Sequence, residues 1–176
     1  MASSTLVPLG EYLETMYEPD CEYIEGELLE RNMGEPERAG LQGLLTAWLI
    51  ARRRQLGLHI FPECRVQVAS RRYRIPDIAV TKHKARGRVL LEPPFLCIEI
   101  LSPDDRASRL ENKIDDYLRF GVAHIWVIDP QRRSASSYTR EGRREEEAVL
   151  TTQDPLIEVT IADFFRELEE DVETDA

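Results

Sequence analysis

Two nearly continuous apolar runs, one on each side of an amphipathic segment, constrain the fold of this chain most. The first covers residues 95–101 (FLCIEIL) and the second residues 123–130 (AHIWVIDP). Runs of this composition indicate strands that are covered on both faces. Residues 106–120, between them, have helical periodicity, and Gly121 follows as a typical helix stop. Strand, helix and strand in this order predict a right-handed crossover with parallel strands at the centre of a sheet.

The rest of the chain extends this pattern to an α/β fold with a mixed sheet flanked by helices. An apolar stripe predicts a long helix over residues 35–56, and IADFFREL predicts a short final helix. HIFPECRVQVAS and YRIPDIAVT predict two strands, and RRSASSYTR and EEEAVLTT predict a polar hairpin. At 176 residues the chain fits one domain. We expect that domain to cover residues 1–168, followed by an acidic, disordered tail over residues 169–176.

The distribution of charge along the chain limits the kinds of molecule that it can bind. The net charge is -10, and residues 141–176 contribute 13 acidic and 3 basic side chains, which is the whole excess. Residues 1–140 are therefore neutral as a body, and we expect modest non-specific affinity for nucleic acid.

Composition also indicates the compartment. The three cysteines are widely spaced and form no C-x-x-C pair, which argues against a zinc ribbon or a disulfide framework. The N-terminal segment lacks the pattern of a secretory signal, and the longest apolar stretch is too short to span a bilayer. The sequence therefore predicts a cytoplasmic protein with reduced thiols and no membrane association.

Glu99 lies in the middle of the first apolar run, where every neighbour favours burial. An isolated ionised carboxylate in an apolar interior is costly unless it is paired, bound or protonated. Asp77, in RIPDIAV, is a second unusual residue because aspartate is disfavoured in strands. Pro76 restricts that segment to a sheet edge, a bulge or a strand start. The common explanation is a turn or strand irregularity, and the functional one is that the break positions a carboxylate.

Lys113 is the third unusual residue. It falls on the core-facing stripe of the predicted helix, which is formed by Leu110, Ile114 and Tyr117. A lysine there either turns back to solvent beside Asp116 or reaches Glu99 across the crossover. A buried pair that serves structure alone is a third reading. Two carboxylates on adjacent strands can bind a divalent cation, and a nearby ammonium can stabilise developing charge. This set is the minimum for metal-dependent phosphodiester hydrolysis.

Several motifs in this order and spacing carry a family resemblance over about residues 9–168. They are YIEGELLE, IPDIAV, PPFLCIEILSPDDR, NKIDDYLRFGVAHIWVIDP and RRSASSY. The chain resembles the Uma-two family of putative restriction endonucleases, within the PD-(D/E)XK nuclease superfamily. The resemblance implies a restriction-endonuclease-like fold, Mg²⁺ dependence with Mn²⁺ as a substitute, and DNA as the substrate. Cutting both strands of a duplex is simplest for a two-fold dimer, so we also expect a homodimer.

The resemblance assigns roles to particular positions. Asp77 and Glu99 match the acidic metal ligands, and the main-chain carbonyl of Ile100 falls where a further ligand is often supplied. The superfamily lysine usually lies two residues after the acid, where this chain has Leu101. This family places it on the following helix, and Lys113 matches that position.

Other positions of this chain are compared with the family pattern. Arg38 stands where family members often have histidine, and Glu25 stands where the turn is usually aspartate. Glu22 and Glu27 match commonly acidic positions. They could face the site, but we expect both to be surface carboxylates on a hairpin. The substitution at Arg38 supports an alternative, a catalytically weak or inactive nuclease-fold protein that binds DNA.

Overall fold

The computed structural model describes residues 6–31, 35–103, 105–145 and 148–173, with side chains up to residue 170. The described helices are α1 Leu9–Glu14, α2 Pro36–Leu56, α3 Ala107–Phe120 and α4 Ile161–Glu173. The described strands are β1 Cys21–Ile24, β2 Glu27–Glu30, β3 His59–Pro62, β4 Val66–Ala69, β5 Arg72–Arg74, β6 Ile78–Thr81, β7 Leu96–Ile100, β8 His124–Asp129, β9 Ser134–Thr139, β10 Gly142–Arg144, β11 Val149–Thr152 and β12 Ile157–Thr160. In this part of the chain, no helix is both long and apolar enough to cross a membrane.

The largest sheet has six strands in the order β10-β9-β8-β7-β6-β3. β7 and β8 are parallel, with Leu96 opposite His124, and α3 connects them. The other neighbouring strands of this sheet pair antiparallel. The predicted crossover with central parallel strands is therefore confirmed, as is the mixed sheet flanked by helices.

β7 is buried along its whole length because both faces of the sheet are covered. Its even-numbered residues, Leu96, Ile98 and Ile100, join the core that includes the buried leucines of α2. Cys97 points to the other face and packs with Ile114 and Tyr117 of α3. Since side chains alternate along a strand, Glu99 faces α3 with Cys97. Each fully buried large apolar side chain stabilises the fold by about 1.5–3 kcal/mol, so the strand is rigidly held.

A smaller sheet, in the order β2-β1-β5-β4, also packs against α3. Three buried tyrosines, Tyr12, Tyr23 and Tyr73, join this sheet to α1. Arg74 on β5 binds Asp116 of α3 through two nitrogens at 2.8 and 2.7 Å. This sheet therefore approaches the polar face of α3 through charged side chains.

Two strand predictions were wrong. The predicted hairpin between RRSASSYTR and EEEAVLTT does not form, because the chain turns at residues 140–141 and β9 pairs with β10, whereas β11 pairs with β12. HIFPECRVQVAS and YRIPDIAVT each contain two strands, and the members of each pair lie in different sheets. The predicted tail, residues 169–176, lies partly in α4, which continues to residue 173, and otherwise outside the described residues.

Candidate active site

Asp77 lies immediately before β6 and beside the middle of the main sheet. The β6–β7 register pairs Ile78 with Ile98, and extending it by one residue sets Asp77 opposite Glu99. The main-chain N–H of Ile100 donates to Asp77 Oδ2 at 2.7 Å. The segment containing Pro76 is thus a strand start, one of the three options its sequence allowed. The break places the buried Asp77 carboxylate beside the end of β7.

Glu99 is 6% exposed and has partners for both carboxylate oxygens. Tyr117 donates its hydroxyl to Oε1 at 2.8 Å, and Lys113 Nζ donates to Oε2 at 2.8 Å. Burial raises the pKa of Glu99 to about 7, although Lys113 acts in the opposite direction. The carboxylate is therefore tolerated in an apolar strand because α3 supplies two hydrogen-bond donors.

Lys113 points into the protein and contacts three acceptors. Its Nζ lies 2.8 Å from Glu99 Oε2, 2.9 Å from Glu22 Oε1 and 2.8 Å from the Ile75 carbonyl. An ammonium group has three N–H donors, so these contacts match its full capacity. Burial opposes the charge, but the neighbouring carboxylates raise the pKa of Lys113. The side chain is thus a protonated donor at neutral pH. The side chain therefore reaches Glu99 and does not turn back to solvent beside Asp116, the other orientation that the sequence allows.

Glu22 belongs to the same network, contrary to the expectation of a surface carboxylate. It is 5% exposed on β1 and accepts from Arg74 Nη1 at 2.8 Å and from the Ile75 N–H at 3.0 Å. Burial acts to raise its pKa, but Lys113 and Arg74 outweigh burial and lower the pKa to about 2. Glu27 is exposed, as expected. The sequence does contain a signal for the burial of Glu22, because this carboxylate lies between the apolar residues Cys21 and Tyr23 of its strand.

Two arginines bind Asp77 from the other side. Arg31, which follows β2, has Nη2 2.5 Å from Asp77 Oδ1. Arg38, near the start of α2, contacts the same oxygen through Nη2 and donates Nε–H to the Ile100 carbonyl at 2.8 Å. Gln42, one turn further along α2, donates to the Asp77 carbonyl at 3.1 Å. Both arginine contacts were absent from the sequence prediction, which singled out Arg38 only as a departure from a family pattern.

These side chains line one open pocket. Asp77, Glu99, Ile100 and Lys113, the residues named from the sequence, all border it. Glu22, Arg31, Arg38, Ser102, Asp105 and Arg109 also line it. The pocket therefore opens the buried carboxylates to solvent.

The oxygen atoms in this pocket fit a hard divalent cation. Asp77 Oδ1 and the Ile100 carbonyl oxygen both contact the single guanidinium of Arg38, so they converge on one cationic group. Carboxylate and carbonyl oxygens are the ligands that Mg²⁺ and Mn²⁺ prefer. Within the described ranges, no three His, Cys, Asp or Glu residues cluster as a metal site. A metal here would accordingly take the main-chain carbonyl beside two carboxylates.

A mixed sheet that brings two carboxylates and a lysine to one pocket defines a protein of the restriction-endonuclease-like class. Comparison with known protein families matches residues 9–172 to Uma2, described as "Putative restriction endonuclease". The chain belongs to this family, so the resemblance seen in the sequence is confirmed. The family supports a nuclease function in general terms. No match was found among proteins with curated descriptions.

A solved structure supports the fold. It is the crystal structure of a putative nuclease belonging to DUF820 from Anabaena variabilis ATCC 29413. The two chains superpose with a TM-score of 0.78 at 24% identity, covering 92% of this chain and 99% of that one. The predicted restriction-endonuclease-like α/β fold is confirmed.

Proposed function

We propose that this protein is a divalent-cation-dependent endonuclease that hydrolyses phosphodiester bonds in DNA. The observation that carries the proposal is the link between Asp77 and β7. The Ile100 N–H binds Asp77, and Glu99 is the residue before Ile100. Two carboxylates and a carbonyl from rigid strands are thereby brought to one pocket. Rigid elements hold metal ligands more precisely than loops do.

In this proposal, Asp77, Glu99 and the Ile100 carbonyl would hold Mg²⁺, for which Mn²⁺ can substitute. The bound cation would supply an activated water and neutralise charge on the phosphate. Lys113 keeps its proton because two carboxylates face it. It would orient a water or stabilise charge on the phosphate by exchanging one of its three present contacts for that acceptor. Tyr117 fixes the Glu99 carboxylate through Oε1.

Plasmid nicking in Mg²⁺ or Mn²⁺ tests the proposal. We expect activity in the native chain and a loss of about a hundredfold or more in Asp77→Ala and in Lys113→Ala. Lys84→Ala is the matched control because Lys84 is an exposed lysine in a surface loop. Equal activity in all four proteins would remove the assigned roles of Asp77 and Lys113.

A second candidate function is DNA binding without turnover. The observation in its favour is that two arginines already neutralise Asp77. Calorimetry with Mg²⁺ followed by DNA discriminates the two candidates. DNA binding without cation uptake or cleavage would support the second function over the first.

Cleavage of both strands leads to a further part of the proposal, a two-fold homodimer that presents one pocket to each strand. Light scattering at assay concentration tests it. A monomeric mass with and without duplex DNA would contradict the dimer.

A further inference from the structure

The two oxygens that Arg38 contacts are the same two oxygens assigned above to a divalent cation. Its Nε–H donates to the Ile100 carbonyl at 2.8 Å, and its Nη2 contacts Asp77 Oδ1. Among the described residues, Arg38 alone bridges these two atoms with its side chain. The guanidinium therefore stands where their lone pairs converge.

The remaining contacts of Asp77 leave its carboxylate fully engaged. Oδ1 also receives Arg31 Nη2 at 2.5 Å, and Oδ2 receives the Ile100 N–H at 2.7 Å. Arg31 in turn contacts Glu63 through Nη1 at 3.3 Å. Asp77 itself is 1% exposed. A buried carboxylate with this many donors is stable without a metal ion, because its charge is already compensated.

The buried carboxylates of the pocket are compensated in the same way. Three buried acidic side chains, those of Glu22, Asp77 and Glu99, are in direct contact with three basic ones, those of Arg31, Arg38 and Lys113. Mg²⁺ bonds oxygen at about 2.0–2.1 Å and tolerates little distortion. A divalent ion bonded to both Asp77 Oδ1 and the Ile100 carbonyl would lie against the Arg38 guanidinium. Like charges that close repel strongly in a partly buried site.

We propose that Arg38 is a built-in counter-cation that occupies the divalent-cation position and must turn away when the metal binds. This inference rests on the proposed function, because it concerns the same metal ligands. Metal uptake is then an exchange of one cation for another, and Arg38 sets the apparent metal affinity.

The position of Arg38 permits the exchange. It lies in the first turn of α2 and lines the open pocket, and its side chain is 12% exposed. Rotation of its side-chain torsions can carry the guanidinium towards solvent without moving the backbone of α2. Asp77 keeps Arg31 and the Ile100 N–H as partners after Arg38 leaves.

Titration calorimetry with Mn²⁺ alone, in the absence of DNA, tests this proposal. The variants are Arg38→Gln and Arg38→Met, and both remove the charge. Arg109→Gln is the matched control, since Arg109 lines the same pocket but donates to the Glu30 carbonyl instead of Asp77. We expect Mn²⁺ to bind both Arg38 variants at least about tenfold more tightly than the native chain, whereas Arg109→Gln changes affinity less than about threefold.

Circular dichroism of each variant accompanies the titrations, and the methionine variant carries the test should the glutamine variant not fold. Equal Mn²⁺ affinity in the native chain and the Arg38 variants would overturn the exchange and leave the metal-dependent function standing. Equal tightening in Arg109→Gln would also overturn it, because a general field effect would then explain the gain. A lack of Mn²⁺ binding in every protein would instead overturn the metal site itself, and the exchange with it.

Discussion

Lys113→Met should destabilise the protein far more than the loss of an ordinary lysine. The ammonium has three contacts of 2.8–2.9 Å, to Glu99, to Glu22 and to the Ile75 carbonyl. Methionine keeps an unbranched side chain that is one atom shorter, and it removes the ammonium group. Two buried carboxylates then lose a shared partner. Removing one member of a buried ion pair costs about 3–5 kcal/mol, and small proteins have about 5–15 kcal/mol of total stability.

The assay is urea or thermal unfolding, with Lys84→Met as the control. For a chain of this size, a loss of 3–5 kcal/mol corresponds to a fall of roughly 6–20 °C in melting temperature. Lys84 is exposed, so its replacement should change the unfolding free energy by about 0.5 kcal/mol or less. The loss in Lys113→Met should be smaller at pH 5 than at pH 8, because a protonated Glu99 is cheaper to bury without a partner.

A loss in Lys113→Met no larger than that in Lys84→Met would refute this reasoning. It would mean that the ammonium lies in solvent and the carboxylates are held by their other partners. A double variant with Glu99→Gln sharpens the result. We expect it to recover about 1–3 kcal/mol relative to the sum of the single changes, since the two residues are in contact.

Three further predictions concern the same side of the sheet. The pKa of Glu99 is raised from 4.5 to about 7, so the folded state holds a proton that the unfolded chain releases. Stability should therefore fall by up to about 3 kcal/mol as pH rises from 4.5 to 7, and Glu99→Gln should lack this component in urea titrations at pH 5, 6 and 7. Tyr117→Phe removes a donor to a buried carboxylate and should cost about 1.5–3 kcal/mol by calorimetry, against less than about 0.5 kcal/mol for Tyr138→Phe. Gly121→Ala should cost about 1 kcal/mol or more in thermal unfolding, because φ is 110° and the new Cβ would lie 3.4 Å from Pro93 Cγ. A pH slope unchanged in Glu99→Gln, equal losses in the two tyrosine variants, or no loss in the glycine variant would contradict the respective prediction.

The central strands could be predicted because their signal is local. A short apolar run with no polar face indicates a strand covered on both sides. The helical stripe between the two runs then favours a right-handed crossover between parallel strands. The same reasoning found Glu99 and Lys113, because each violates the periodicity of its own element. Each violation is visible in a window of about ten residues.

The partners of Asp77 could not be predicted in this way. Arg31 and Arg38 lie 46 and 39 residues away in sequence, and nothing in their own segments marks them as buried. Ion pairs between residues this far apart in sequence depend on which elements pack together in the folded chain, and local sequence patterns do not show this. The wrong hairpin has the same origin, because β-propensity identifies strands and does not choose their neighbours.

Glu22 shows an intermediate case. Its strand is short and carries a carboxylate between apolar residues, the pattern that drew attention to Glu99. Because hairpins usually have one solvated face, the sequence favours an exposed Glu22. The expectation was wrong because the small sheet packs its second face on α3. There Lys113 of α3 and Arg74 of β5 compensate the charge of Glu22.

The most direct test of this account is a crystal structure after soaking with Mn²⁺, with the ion located by anomalous scattering. The account predicts one ion bound by Asp77, Glu99 and the Ile100 carbonyl, with Lys113 still on Glu99 and Arg38 turned away from Asp77. An ion bound elsewhere, or no ion while Arg38 remains on Asp77 at saturating Mn²⁺, would contradict it.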